Sequence, residues 1–173
     1  MNTRNNYAFI DGTNLYLTST KLGWRLDFRR FRIYLREHYG IEKAYYFIGY
    51  LELNKSLYHA LESWDYIMSY KPIEILPDST VKGNCDAELV LEAMKNIPNY
   101  NKAVIVTSDG DFGCLVEYLL TINKLERVVS PCLNMCSHLL RKAAGTKIDF
   151  IDNLRDKLEY KEKRKEPHKD QPL

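Results

Sequence analysis

The chain has 173 residues, a formal net charge of +2, 45% hydrophobic and 28% charged residues, and 13 tyrosines. A chain of this length buries a sizeable core without staples, and its composition is that of an ordinary soluble globular protein, so one domain is expected. Near-neutral charge excludes a polycation that coats nucleic acid by charge alone, but not a local basic groove beside an acidic site. No apolar run approaches the length that spans a bilayer, and Met1 to Asn6 lack the apolar core of a secretory signal. The four cysteines, Cys85, Cys114, Cys132 and Cys136, form no CxxC pair. Reduced thiols in a cytoplasmic protein, away from membranes, are expected.

Tyr7-Ala8-Phe9-Ile10 is a short apolar run that stops at Asp11-Gly12-Thr13-Asn14. It reads as strand, loop and the start of a helix at Leu15. Asp27 to Tyr39 is an amphipathic helix closed by Gly40. Ile41 to Leu51 is a strand rich in Tyr, Phe and Ile. Ser56 to Tyr70 returns to helical spacing through Leu57, Ala60, Leu61, Trp64, Ile67 and Met68, and Pro72 to Pro77 is expected as the third strand. Cys85 to Ile97 is a helix with Leu89, Val90, Ala93, Met94 and Ile97 on one face. Lys102 to Thr107 is a strand, and the helix from Asp111 runs to Asn123. Glu126 to Cys132 (strand), Ser137 to Ala144 (helix) and Lys147 to Ile151 (strand) follow, and Asp152 or Asn153 caps a last helix. Residues 1–154 form the expected domain, and 155–173 a charged helix end and frayed tail. Strict alternation of strands and helices predicts one α/β domain with a mostly parallel, helix-covered sheet.

Val104 to Phe112 is the centre of this pattern. A β-branched run empties two carboxylates, Asp109 and Asp111, into the turn before a helix. One aspartate suffices as a helix cap, and two such charges roughly 4 Å apart repel by about 4 kcal/mol at an effective dielectric of 20. Asp11 follows the first strand, and Asp86 lies in the first turn of the helix after the third. In a parallel sheet these positions share the carboxyl-end rim, where ligands bind. Acids at helix starts also complement the macrodipole. Asp11 precedes Gly12-Thr13-Asn14 rather than an apolar run, so capping does not account for it. Hard carboxylates, with the Asn14 amide aimed at the same space and no His or Cys nearby, select Mg²⁺ or Mn²⁺ over zinc. The implied chemistry is metal-assisted phosphodiester hydrolysis.

Phe9-Ile10-Asp11-Gly12-Thr13-Asn14, Lys82-Gly83-Asn84-Cys85-Asp86-Ala87-Glu88-Leu89 and Thr107-Ser108-Asp109-Gly110-Asp111-Phe112 together resemble the NYN domain family. This group, which includes the LabA-like proteins, is related to the PIN and 5′-nucleases. The likeness runs from about residue 7 to 154. It implies a PIN-like three-layer α/β/α sandwich and a Mg²⁺- or Mn²⁺-dependent endoribonuclease acting on single-stranded RNA. It also implies Asp11, Asn14, Asp86, Asp109 and Asp111 as catalytic residues, with the four aspartates as metal ligands. One departure stands out: where many relatives carry an Ala-Asp pair after the last-but-one helix, this chain reads Leu140 to Gly145 without an acid.

Lys82 is a candidate for neutralising a substrate phosphate, and Ser108 and Asn14 for hydrogen-bonding near the metal shell. A solvated lysine and a turn-capping serine are the competing readings. Arg25, Arg29, Arg30, Arg32 and Arg36 form the best basic strip for an RNA backbone, with Phe28, Phe31 and Tyr34 assigned to the core. A haloacid-type phosphatase needs an aspartate where Thr13 stands, a Toprim site needs an early glutamate that is missing, and no P-loop occurs. The competing reading is a non-catalytic RNA- or protein-binding module of the same fold. Oligomeric state, a homodimer included, is open.

Overall fold

The first strand shows why the sheet is buried on both sides. In β1 (Asn6–Asp11) every residue is buried, with Ala8 and Ile10 pointing to one core and Tyr7 and Phe9 to another. The computed structural model describes residues 5–72, 74–75, 81–82 and 84–162, and side chains for all of these but 74–75 and 81–82. The chain continues through α1 (Gly12–Ser19), α2 (Phe28–Tyr39), β2 (Ile41–Tyr50), α3 (Lys55–Ser63) and β3 (Tyr66–Pro72). Two-residue strands β4 (Glu74–Ile75) and β5 (Val81–Lys82) pair with each other, antiparallel and apart from the main sheet. Then come α4 (Asp86–Lys95), β6 (Ala103–Val106), α5 (Gly113–Thr121), β7 (Leu125–Ser130), α6 (His138–Ala144), β8 (Ile148–Phe150) and α7 (Arg155–Leu158).

The central sheet has six parallel strands in the order β3-β2-β1-β6-β7-β8. Its alternating side chains fill two cores. Phe31 and Leu35 of α2, Leu15 of α1 and Leu61 of α3 pack with Ile10, Tyr46 and Val106. On the opposite face Leu89 of α4, Val116 of α5 and Leu140 of α6 pack with Phe9, Ile105 and Val128. The molecule is therefore the expected α/β/α sandwich. Strand order runs outward in both directions from the β1–β6 pair, so these strands flank the topological switch point, where open α/β sheets bind ligands.

Three boundaries differ from expectation. The helix predicted to run to Tyr70 ends at Ser63, because Asp65 adopts a left-handed φ of 69° and turns the chain into β3. Ile67 and Met68 thus lie on a strand, whose register with β2 runs from Ala44↔Tyr66 to Tyr50↔Pro72. The third strand predicted at Pro72–Pro77 is displaced accordingly: only Pro72 joins the sheet, and Ile73, Leu76 and Pro77 lie outside the described residues. Helix α1 begins at Gly12 rather than Leu15, with Asp11 as its N-cap. The expected frayed tail, from 163 onward, also lies outside the described residues. Among the described residues no helix is long and apolar enough to cross a membrane.

Candidate metal centre

Asp11 closes β1 and starts α1. Its Oδ1 accepts from the Asn14 amide at 3.0 Å and its Oδ2 from the Thr107 hydroxyl at 3.1 Å. Capping does account for this residue, contrary to expectation: the backbone turns helical immediately after it. Gly12 permits that turn, since a Cβ there would lie 2.1 Å from Tyr46 Cε1 and 2.6 Å from the Phe47 carbonyl oxygen. Burial pushes the Asp11 carboxyl up to about 6; the Asn14 and Thr107 hydrogen bonds oppose this, and the charges of Asp86 and Asp109 add to it.

The exit of β6 is tied to the same point. Thr107 Oγ1 also accepts from the Asp109 amide at 3.1 Å, so one buried hydroxyl connects Asp11 to the loop carrying Asp109. Asp109 caps the 3-10 turn Gly110–Phe112 through the Asp111 amide at 3.0 Å. Asn14 Oδ1 accepts from both the amide (2.9 Å) and the hydroxyl (2.7 Å) of Ser108, locking α1 to the β6 exit. Ser108 is buried and its hydroxyl proton is committed to Asn14. In this position it braces the loop between α1 and the β6 exit.

Asp86, the first residue of α4, completes the arrangement. One carboxylate oxygen each from Asp86, Asp109 and Asp111 lie within 4.8 Å of one another. Burial first, then the charges of Asp109 and Asp111, raise the Asp86 carboxyl above its ordinary range. The repulsion among such charges reverses sign when a cation sits between them. The donors are hard oxygens, suiting Mg²⁺ or Mn²⁺. Cys85, next to Asp86 in sequence, is buried, and its sulfur is not among the ligand atoms that converge. Of the four aspartates expected as ligands, Asp11 stands outside this group of three, and its two oxygens accept hydrogen bonds from the Asn14 backbone amide and the Thr107 hydroxyl.

The side chain of Lys82 lies outside the described residues. Among the described residues, Lys71 of β3 is a cation close enough to act on Asp86, and sequence reasoning missed it. Its ammonium donates to the Asn84 carbonyl at 2.9 Å and pairs with Glu88 at 2.9 Å, and its charge opposes the rise of Asp86. No motif marks Lys71, because only strand pairing brings residue 71 beside residues 84–88. The basic strip is also revised. Arg32 is buried, bonding Asp65 Oδ2 at 2.6 Å together with the carbonyls of Asp65, Ile41 and Glu42. Arg25, Arg29 and Arg30 instead line a cleft of about 1560 Å³ with Trp24, Phe28 and Trp64, which shares no residue with the acidic cluster.

The NYN domain model matches residues 7–151. This chain belongs to the NYN domain family. NYN domains are PIN-like and often nucleases. The chain is similar to the low amplitude and bright protein LabA of Synechococcus elongatus, at 29% identity over 95% of this chain and 92% of that protein. A crystal structure of a protein of unknown function from Vibrio parahaemolyticus superposes with a TM-score of 0.73, covering 92% of this chain and 99% of the other at 22% identity. At that identity the likeness speaks for the fold. Among the described residues, the three clustered aspartates are a group that could hold a divalent ion.

Proposed function

We propose that this NYN domain is a Mg²⁺- or Mn²⁺-dependent endoribonuclease that hydrolyses phosphodiester bonds of single-stranded RNA. The observation that carries the reading is the convergence of Asp86, Asp109 and Asp111 oxygens within 4.8 Å, at the rim where β1 and β6 diverge. These three residues hold the ion. When bound, it supplies Lewis-acid activation of water and neutralises charge on the phosphate. Asp11, whose carboxyl is raised in part by the charges of Asp86 and Asp109, adds negative charge that strengthens cation binding. Asn14, its carbonyl oxygen taken by Ser108, keeps its amide donors for a phosphate oxygen. Lys71 fixes the backbone before Asp86 and offsets part of the negative field that a polyanionic substrate meets.

The experiment is a cleavage assay on RNA and DNA, single- and double-stranded, with EDTA, Mg²⁺ or Mn²⁺. Single-stranded RNA is cut internally only with a divalent ion, and Asp109→Asn lowers kcat by at least about a hundredfold while the fold is retained. An unchanged rate in EDTA, or in Asp109→Asn, contradicts the reading.

A further inference from the structure

Beside the acidic cluster lies an apolar shelf that the metal chemistry does not use. Helix α4 turns Leu89 and Ala93 into the core; Val90 and Met94, half-buried, pack against that core, and exposed Ala87 and Leu91 continue the apolar surface outward at spacings of three and four residues. Leu91 is 60% exposed and Ala87 is also exposed, in a helix whose core contacts are already made. With Phe112 these residues line an open cavity of about 440 Å³. Its remaining lining residues are Asp86 and Asp111, both members of the acidic cluster.

We infer that this shelf is a nucleobase subsite, taking the unpaired base next to the phosphate held at Asp86, Asp109 and Asp111. The inference rests on the proposed function. Continuity supports it: Asp86 and Asp111 belong both to the acidic cluster and to the lining of the shelf, so a phosphate held at the cluster has its nucleoside beside an apolar wall. The base is the flat, weakly hydrated part of a nucleotide, whereas its phosphates are repelled by Asp86 and Asp111 wherever no cation intervenes. The walls contributed by Ala87, Val90, Leu91, Met94 and Phe112 offer no side-chain hydrogen-bonding group to read a base edge. The subsite therefore distinguishes the presence of a base from its absence rather than one base from another. Met94, flexible and polarisable, suits a surface that must accept purines and pyrimidines alike.

The test compares wild type, Leu91→Ser and Leu91→Trp on a short single-stranded RNA and on the same RNA with one abasic nucleotide moved along its length. Because Leu91 is exposed, neither substitution perturbs the core. In Mg²⁺, Leu91→Ser raises KM roughly fivefold to tenfold with kcat unchanged, and Leu91→Trp lowers it. An abasic nucleotide at one position beside the cut raises the wild-type KM similarly, and Leu91→Ser adds nothing on that strand. Equal KM values for all proteins, or an abasic effect that Leu91→Ser leaves intact, overturn the inference. So does a change confined to oligomeric state, which assigns the stripe to a second copy of the chain. If wild type cuts nothing, fluorescence anisotropy with the same strands separates the two ideas. Base-dependent, Leu91-dependent binding keeps the subsite and rejects hydrolysis; binding indifferent to base and to Leu91, or no binding, rejects the subsite.

Discussion

Asp11 shows how a single residue trades stability for a site. Its folded carboxyl titrates near 6 because burial disfavours the charge, whereas an unfolded aspartate titrates near 4. Between those values the native state retains a proton that the unfolded state has released. Stability contributed by Asp11 is therefore full below about pH 4, falls as pH rises to about 6, and stays reduced above. Asp11→Asn, which can still cap α1, removes that penalty. In EDTA at pH 7.5 it is about 1–3 kcal/mol more stable than wild type by denaturant titration, and near pH 4 the difference vanishes. A less stable variant at pH 7.5 contradicts this account. Gly12 is constrained by space rather than charge. Gly12→Ala drives a methyl into Tyr46 and the Phe47 carbonyl, and costs at least about 2 kcal/mol in the same titration. Wild-type stability in that variant means that α1 sits less tightly on β2 than described.

At the scale of elements, Arg32 staples α2 to the β2 and β3 starts, where three backbone carbonyls converge on one guanidinium. Arg32→Ala leaves those carbonyls without their donor and costs roughly 3 kcal/mol. Asp65→Asn leaves the carbonyl bonds in place and removes a carboxylate whose side chain is 79% exposed, so it costs about 1 kcal/mol or less. Urea midpoints order the two; the reverse order contradicts the staple. The same residue shows what the sequence could not reveal. Five arginines around α2 look like one solvent-facing strip, and nothing local distinguishes Arg32, whose acceptors lie 9, 10 and 33 residues away, at the start of β2 and in the turn before β3. The end of α3 was hidden for a related reason: Leu57, Ala60, Leu61, Trp64, Ile67 and Met68 keep helical spacing through a reversal that depends on one left-handed residue, Asp65. The cap by Asp11 was missed because the first turn of α1, Gly12-Thr13-Asn14, is not apolar. By contrast, β1, β6 and α2 were legible, since their apolar period is uninterrupted and their ends carry Asp, Gly or a caps-and-turns cluster. The stripe of Ala87, Val90, Leu91 and Met94 lies between these cases: periodicity reveals an apolar face but not whether protein covers it.

Across the whole molecule, topology explains why aspartates spread from residue 11 to residue 111 belong together. Parallel β1 and β6 are adjacent, their carboxyl ends lie at the same edge, and their connections leave toward opposite faces of the sheet. That edge is the place where buried Asp11 and Thr107, with half-buried Asn14, can brace a loop of crowded carboxylates without closing it. A ligand that relieves the crowding stabilises the fold by mass action, about 2.7 kcal/mol at a hundred times its Kd. Saturating Mg²⁺ or Mn²⁺ thus raises Tm by roughly 5–10 °C relative to EDTA, and Asp86→Asn loses most of that rise. An equal rise in Asp86→Asn assigns the stabilisation to ions bound elsewhere. The most direct measurement is isothermal titration of Mn²⁺ into wild type and Asp109→Asn at neutral pH. The account predicts saturable binding to wild type that is lost or weakened at least about tenfold in the variant. Absence of Mn²⁺ binding to wild type, or equal binding to both proteins, contradicts it.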